Sequence, residues 1–167
     1  MVTVEICVES VAGVRAALAG GAQRVELCCA LGEGGLTPSA GALAAAVAVG
    51  GIEGVALVRP RGGDFLYSAE EFALVERDVE HAKELGAQGV AVGCLDAEGR
   101  VDAERLARLV ARARPLAVCF HRAFDLVREP ERELETLVAL GVRRVLSAGG
   151  ARSAFEGRAR LAALVRA

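Results

Sequence analysis

Two short motifs place a carboxylate two residues before a thiol. Glu5 and Cys7 form the first motif, and Glu26 and Cys28 form the second. Residues two apart on a β-strand point to the same face of the sheet, so each motif presents a carboxylate and a thiol together. Thiolates are soft ligands that suit Cu(I), and one interpretation is a metal site with Cys7 and Cys28 as ligands. The other is that both cysteines are small, buried packing residues.

A second group of side chains suits anion binding and proton transfer. Arg59 and Arg61 lie two residues apart at the end of one apolar run, and His121 ends another. Imidazole titrates near neutrality, so we predict that His121 is an acid or base with Glu5 or Glu26 as its partner. The two arginines would bind a small anionic substrate. In the alternative, the two carboxylates and two arginines form an internal ion-pair network, because buried charges need partners, and His121 is structural.

A glycine-rich turn follows the last apolar run, Arg143 to Ser147. The turn contains Gly149 and Gly150, and a helical pattern begins shortly after it. Backbone amides at the start of a helix bind anions, so both glycines are predicted to contribute to an anion site.

These residues fall on a repeated unit of one strand and one helix. The predicted strands span residues 2–8, 24–29, 54–59, 89–94, 116–121 and 143–147. The predicted helices span residues 11–19, 39–49, 69–85, 102–113, 130–140 and 153–166. Ser10 is a predicted helix N-cap, and Ser68 with Glu71 has the form of a capping box.

Alternating strands and helices predict a parallel sheet with right-handed crossovers. An open doubly wound sheet and a closed barrel both satisfy that pattern. The first strand is not followed by the G-x-G-x-x-G turn of a dinucleotide-binding sheet. Polar residues alternate along the strands, which suits a barrel interior. We therefore predict an α/β fold of the TIM-type (β/α) barrel, shortened to about six units, as a single domain over residues 1–167.

Composition narrows the partners and the compartment. The 167 residues carry a formal net charge of −2 without a basic stripe, so nucleic acid is not an expected partner. Neither a signal peptide nor a membrane-spanning stretch is evident. The five cysteines are odd in number and scattered, which favours reduced thiols, metal ligands or small core residues over disulfides.

Taken together, the motifs resemble the CutC copper homeostasis family. The matching segments are residues 5–10 (EICVES), 24–28 (RVELC), 34–39 (GGLTPS), 58–65 (VRPRGGDF), 120–125 (FHRAFD) and 146–150 (LSAGG). The resemblance implies a (β/α) barrel, a cytoplasmic location and a role in copper homeostasis through Cu(I), with Cys7 and Cys28 as ligands. The polar positions that match the family's cavity are Glu5, Glu26, Arg59, Arg61, Asp64, His121, Arg122 and Asp125.

The family has strand–helix units beyond the six found here. The two outer strands are therefore expected to lack neighbours, and unpaired strand edges favour association. We predict a homo-oligomer, most simply a two-fold dimer. Two functions remain open: a cytosolic Cu(I)-binding copper homeostasis protein, or a (β/α)-barrel enzyme that acts on a small anionic substrate with His121 as acid or base.

Overall fold

The computed structural model describes residues 2–166, in which strands and helices alternate. The strands are β1 (Glu5–Val8), β2 (Arg24–Leu27), β3 (Glu53–Leu57), β4 (Gly89–Val92), β5 (Ala117–Phe120) and β6 (Arg144–Val145). The α-helices are α1 (Val11–Ala19), α2 (Ala40–Val47), α3 (Ala69–Glu84), α4 (Ala103–Ala113), α5 (Pro130–Ala139) and α6 (Arg158–Leu164). Short 3₁₀ helices occupy Leu31–Glu33 and Arg122–Leu126.

The six strands form one parallel sheet in sequence order, β1-β2-β3-β4-β5-β6. A helix follows each strand, as in a (β/α) barrel, and the curled sheet makes up part of such a barrel. The predicted fold class and the order of elements are confirmed. The strands are shorter than predicted, because the hydrogen bonds between neighbouring strands end where the chain enters a loop.

The last unit differs most from the prediction. Helix α6 begins at Arg158, five residues after the predicted start. Gly149 and Gly150 both have φ of +71°, a left-handed conformation that glycine adopts without strain. These two residues turn the chain sharply after β6, so a series of bends and turns precedes the helix.

Polar side chains fix where the helices begin. Ser10 accepts a hydrogen bond from the Gly13 amide, and Ser39 accepts one from the Ala42 amide. At α3 the predicted capping box is confirmed: Ser68 Oγ accepts from the Glu71 amide, and the Glu71 carboxylate accepts from the Ser68 amide. Each cap satisfies amides that the first helical turn leaves unpaired.

The main core lies between the sheet and the helices. Val25 and Val90 project outward from the sheet against Val14 of α1, Val79 of α3 and Leu106 of α4, and all are almost fully buried. Because this core lies on the helix side of the sheet, the concave side can carry polar side chains.

The two outer strands each have one strand neighbour among residues 2–166. The side chains of Val4, just before β1, and of Ile6 within it remain 47% and 40% exposed, so the apolar face of this outer strand is only partly covered. Self-association through such an edge stays a prediction. Within the described part of the chain, no helix is both long and apolar enough to cross a membrane.

Candidate functional site

Alternate strand residues point to the concave side of the sheet and form layers from one end to the other. The layer at the amino ends of the strands is charged. Arg24 contacts the carboxylate of Glu5 and donates to Glu53 at 3.1 Å, and Arg144 lies 3.5 Å from Glu53. Residues at this end of a barrel contribute to stability, whereas chemistry gathers at the carboxyl ends.

Glu5 therefore belongs to an ion-pair layer rather than to the site. The prediction that Glu5 partners His121 is not supported, because the Glu5 carboxylate is held by Arg24. The alternative network of Glu5, Glu26, Arg59 and Arg61 does not form. Glu5 belongs instead to a network with Arg24, Glu53 and Arg144.

The next layers bring the two predicted thiols together. Cys7 Sγ and Cys28 Sγ lie 3.5 Å apart on neighbouring strands. The register pairs Cys7 with Glu26, and the thiol of Cys7 donates to Glu26 Oε1 at 3.8 Å. Cys7 is exposed at the open side of the sheet, and Cys28 is buried. Three of the four motif residues, Cys7, Glu26 and Cys28, thus form one cluster, and Glu5 lies outside it.

Burial shifts the ionisation of this cluster toward neutral forms. Desolvation, followed by the hydrogen bond with Cys28 and the charge of Glu26, raises the pKa of Cys7. Burial also raises the pKa of Cys28. Burial and then the Glu5 charge raise the pKa of Glu26 to about 7. Both thiols are protonated at neutral pH, so a metal ion that binds them must displace protons.

The donor set fits a soft ion of low coordination number. Among residues 2–166, no group of three or more His, Cys, Asp or Glu side chains is arranged to hold a metal. Two thiols suit Cu(I), which prefers soft sulfur ligands, whereas a structural zinc site needs four ligands. With metal–sulfur bonds of about 2.3 Å, a linear ion would separate the sulfurs by roughly 1 Å more than they are now. Exposed Cys7 has room to make that movement.

Arg59 stands at the carboxyl end of β3 as a buried cation, 7% exposed. Its Nη1 donates to the carbonyls of Glu33 (2.9 Å) and Gly35 (3.2 Å), and its Nη2 to the carbonyl of Gly63 (2.9 Å). The guanidinium lies 4.9 Å from the centre of the Phe65 ring. Its Nε has no hydrogen-bond partner.

His121 follows β5 and is 4% exposed. Its Nδ1 accepts a hydrogen bond from the Ala123 amide at 3.2 Å, and its Nε2 has no partner. Burial, and then the charge of Arg59, lower the pKa of His121 to about 3. The neutral imidazole with an occupied Nδ1 carries its proton on Nε2. His121 is therefore better suited to donate a hydrogen bond through Nε2 than to act as the predicted acid or base.

One cavity of about 320 Å³ contains these groups at the carboxyl ends of the strands. It is lined by Cys7, Glu26, Leu31, Gly34, Leu57, Arg59, Phe65, His121, Arg122 and Leu146. Gly93 makes room for the imidazole, because a Cβ there would lie 2.4 Å from His121 Cε1. The structure therefore brings Cys7, Glu26, Arg59 and His121 to one cavity, with Cys28 in contact with Cys7.

Arg61 and Asp64 lie outside this cavity, contrary to the prediction. Arg61 donates to Glu71 Oε1 at 2.5 Å, to Asp64 Oδ1 at 3.0 Å and to the carbonyl of Leu66 at 3.0 Å. The hydrogen bonds that Arg61 donates to Glu71 and Asp64 raise the pKa of its guanidinium. Strand alternation ends once the chain leaves β3, so residue 61 no longer shares the orientation of residue 59. Arg61 ties the loop to the start of α3.

The predicted anion site at the glycine turn is already filled by a side chain of this protein. Asp125 accepts hydrogen bonds from the amides of Ala148 and Gly150, both at 3.0 Å, and from Ser147 Oγ at 2.6 Å. The Gly149 amide donates to Ser147 Oγ at 2.8 Å. An external anion is therefore not what this turn binds.

Arg122 forms a salt bridge with Asp125, the residue that holds the glycine turn. Its Nε donates to Asp125 Oδ2 at 2.7 Å. Burial favours the protonated carboxyl, but the hydrogen bonds from Ser147, Gly150 and Arg122 outweigh it and lower the pKa of Asp125. Asp125 thus holds the β6 turn, and Arg122 lies at the cavity rim with its charge already paired.

Sequence reasoning missed the loop that supports Arg59. Gly34 and Gly35 have φ of +86° and +88°, which directs nearby carbonyls at the guanidinium. A Cβ on Gly35 would lie 2.7 Å from Leu57 Cδ2. Phe65, which contacts both Arg59 and His121, was also missed. The signals were present, since both glycines and Phe65 fall inside the quoted motifs.

Comparison with known proteins gives a consistent answer over the whole chain. Residues 2–167 match the model of the family described as the CutC family. A family protein CutC from Chromobacterium violaceum is 58% identical over 160 residues, which cover 96% of this chain and 65% of that protein. The human copper homeostasis protein cutC homolog is 48% identical over 153 residues, which cover 92% of this chain and 56% of that protein.

Solved structures agree on the fold. The crystal structure of a CutC protein from Streptococcus agalactiae superposes with a TM-score of 0.93 at 32% identity, covering 99% of this chain and 82% of that one. A phosphonopyruvate hydrolase matches with a TM-score of 0.70 at 13% identity, which shows a shared architecture alone. The chain spans about 65% of the length of the first curated relative.

Proposed function

The chain belongs to the CutC family, and on that premise we propose that it is a copper homeostasis protein that holds one Cu(I) ion between Cys7 and Cys28. The proposal extends to this chain the role that the name of the human relative states. Copper is the cargo in this account, and the protein supplies its ligands.

The observation that carries the proposal is the distance of 3.5 Å between the two sulfurs. Neighbouring parallel strands lie about 4.8 Å apart, and the register sets the two thiols on the same concave face. Their meeting depends on two elements that are separate in sequence. A packing role alone does not require the polar neighbour Glu26, whose Oε1 lies 3.8 Å from Cys7 Sγ.

The alternative function, an enzyme that acts on a small anionic substrate, needs a group that accepts and returns a proton. His121 is poorly suited to that role, because Nδ1 is occupied and the pKa is depressed to about 3. We therefore do not assign a reaction to this cavity.

A reducing compartment suits the proposed site. The five cysteines are free thiols, and thiols persist in the cytoplasm, where reductants oppose disulfide formation. We propose a cytoplasmic location on this argument.

Loading the reduced chain with Cu(I) under anaerobic conditions tests the proposal. The chain is expected to retain one Cu(I) through gel filtration and to release protons as it binds, because both thiols start protonated. Zn(II) is the control metal and should not be retained, since two thiols do not complete its coordination. Loss of all copper, or equal retention of Zn(II), would rule out a two-thiol Cu(I) site.

A further inference from the structure

A buried arginine without an acidic partner marks a second feature of the cavity. The three hydrogen bonds of Arg59 all go to main-chain carbonyls. Arg59 takes part in none of the salt bridges found among residues 2–166. Burying a charge is costly unless an opposite charge compensates it. The carbonyl dipoles orient the guanidinium, but they leave its net charge in place.

His121 adds a second donor without an acceptor. Its Nε2–H has no partner, and its Nδ1 is held by the Ala123 amide. Phe65 lies between the two donors: its ring centre is 4.9 Å from the Arg59 guanidinium carbon and 4.9 Å from the imidazole centre. Buried donors are almost always satisfied in native proteins. Glu26 Oε2 is an unpaired acceptor of the same cavity, but Glu26 forms no salt bridge with Arg59 or His121, so the two donors call for an acceptor from outside the chain.

The walls of the cavity show what else the ligand must carry. Leu31, Leu57 and Leu146 line it together with Phe65. Small-molecule sites combine apolar walls with a few placed polar groups, in volumes that start near 300 Å³. The cavity of about 320 Å³ meets that description.

We propose that the cavity binds a small organic oxyanion, a carboxylate or a phosphate ester, with its charged oxygens on Arg59 and His121 and its carbon portion against Phe65 and the leucines. His121 acts as a neutral donor in this site, and Arg59 supplies the compensating charge. The proposal does not depend on copper, because neither thiol is among the anion's donors.

Titration calorimetry with inorganic phosphate and with malonate, on the copper-free chain, tests the site. One equivalent of at least one probe should bind. Arg59→Lys keeps the charge but removes the Nε donor, and His121→Asn keeps an acceptor for the Ala123 amide but withdraws the cavity donor. Each is expected to weaken binding about tenfold or more, as removal of a charge-assisted hydrogen bond does.

Arg61→Gln is the matched control. Arg61 donates hydrogen bonds to carbonyls of the same loop but lies outside the cavity. Its replacement should therefore leave anion binding unchanged. Circular dichroism checks that each variant is folded, and His121→Asn carries the test if Arg59→Lys is not. The proposal is overturned if neither probe binds saturably, if both site variants bind like the parent, or if Arg61→Gln weakens binding as much as they do. The anion titrations use the copper-free chain, and copper retention is measured separately. Failure of the anion proposal therefore does not imply failure of the copper proposal.

Discussion

Replacing either Cys7 or Cys28 by serine is expected to weaken Cu(I) binding by at least about a hundredfold, the upper end of what removal of an outer-shell partner costs a metal site. A hydroxyl is a hard oxygen donor and a poor substitute for a thiolate toward a soft ion. The 3.5 Å contact makes each sulfur one half of the site, so either substitution removes half of the ligands. A competition titration against a chromophoric Cu(I) chelator measures the change.

Cys29→Ser is the matched control for both substitutions. Cys29 follows Cys28 directly, but its thiol donates to the Thr37 carbonyl at 3.1 Å on the other side of the strand. Its replacement should leave Cu(I) affinity within a few-fold of the parent. An equal loss in all three variants would mean that the effect arises from altered folding, and an unchanged affinity in the double serine variant would remove both residues from the site.

His121 is expected to make the folded protein sensitive to acid. Its pKa is about 3 in the folded chain, against 6.5 as the ordinary value. Between these limits the unfolded chain binds a proton that the folded chain does not. Stability that is present above pH 6.5 is therefore lost as the pH falls toward 3. At pH 4.5 the loss due to this residue is roughly 2–3 kcal/mol, at about 1.4 kcal/mol per pKa unit.

Urea unfolding at pH 7.5 and at pH 4.5 separates this effect from the titration of other groups. The fall in the free energy of unfolding between the two pH values should be roughly 2–3 kcal/mol smaller in His121→Asn than in the parent. His81→Asn changes an exposed histidine on α3 and must keep the parent's fall. Identical falls in the parent and in His121→Asn would show that the imidazole is not held neutral.

The order of elements followed from local patterns. Glycines after helices, serine caps and apolar runs predict each strand–helix unit, and alternation along β1 and β2 places Cys7 and Cys28 on one face. These features depend on residues close together in sequence. The meeting of the two thiols also depends on which strands are neighbours, which the barrel prediction supplied.

The errors came from contacts that no local pattern fixes. The partner of Glu5 is Arg24, which lies directly opposite on β2, and strand pairing had to be known to find it. The Gly149–Gly150 turn has the composition of an anion site, but the loop after β5 places Asp125 there first. Arg61 follows Arg59 by two residues, yet the strand has already ended, so alternation no longer applies.

X-ray absorption at the copper edge of the Cu(I)-loaded chain identifies the atoms that bind the metal. We expect two sulfur neighbours around copper in the parent and in Cys29→Ser, and nitrogen or oxygen neighbours in their place in the Cys7→Ser/Cys28→Ser variant. A parent spectrum without sulfur in the first shell, or a two-sulfur shell that persists in the double variant, would contradict the proposed copper site.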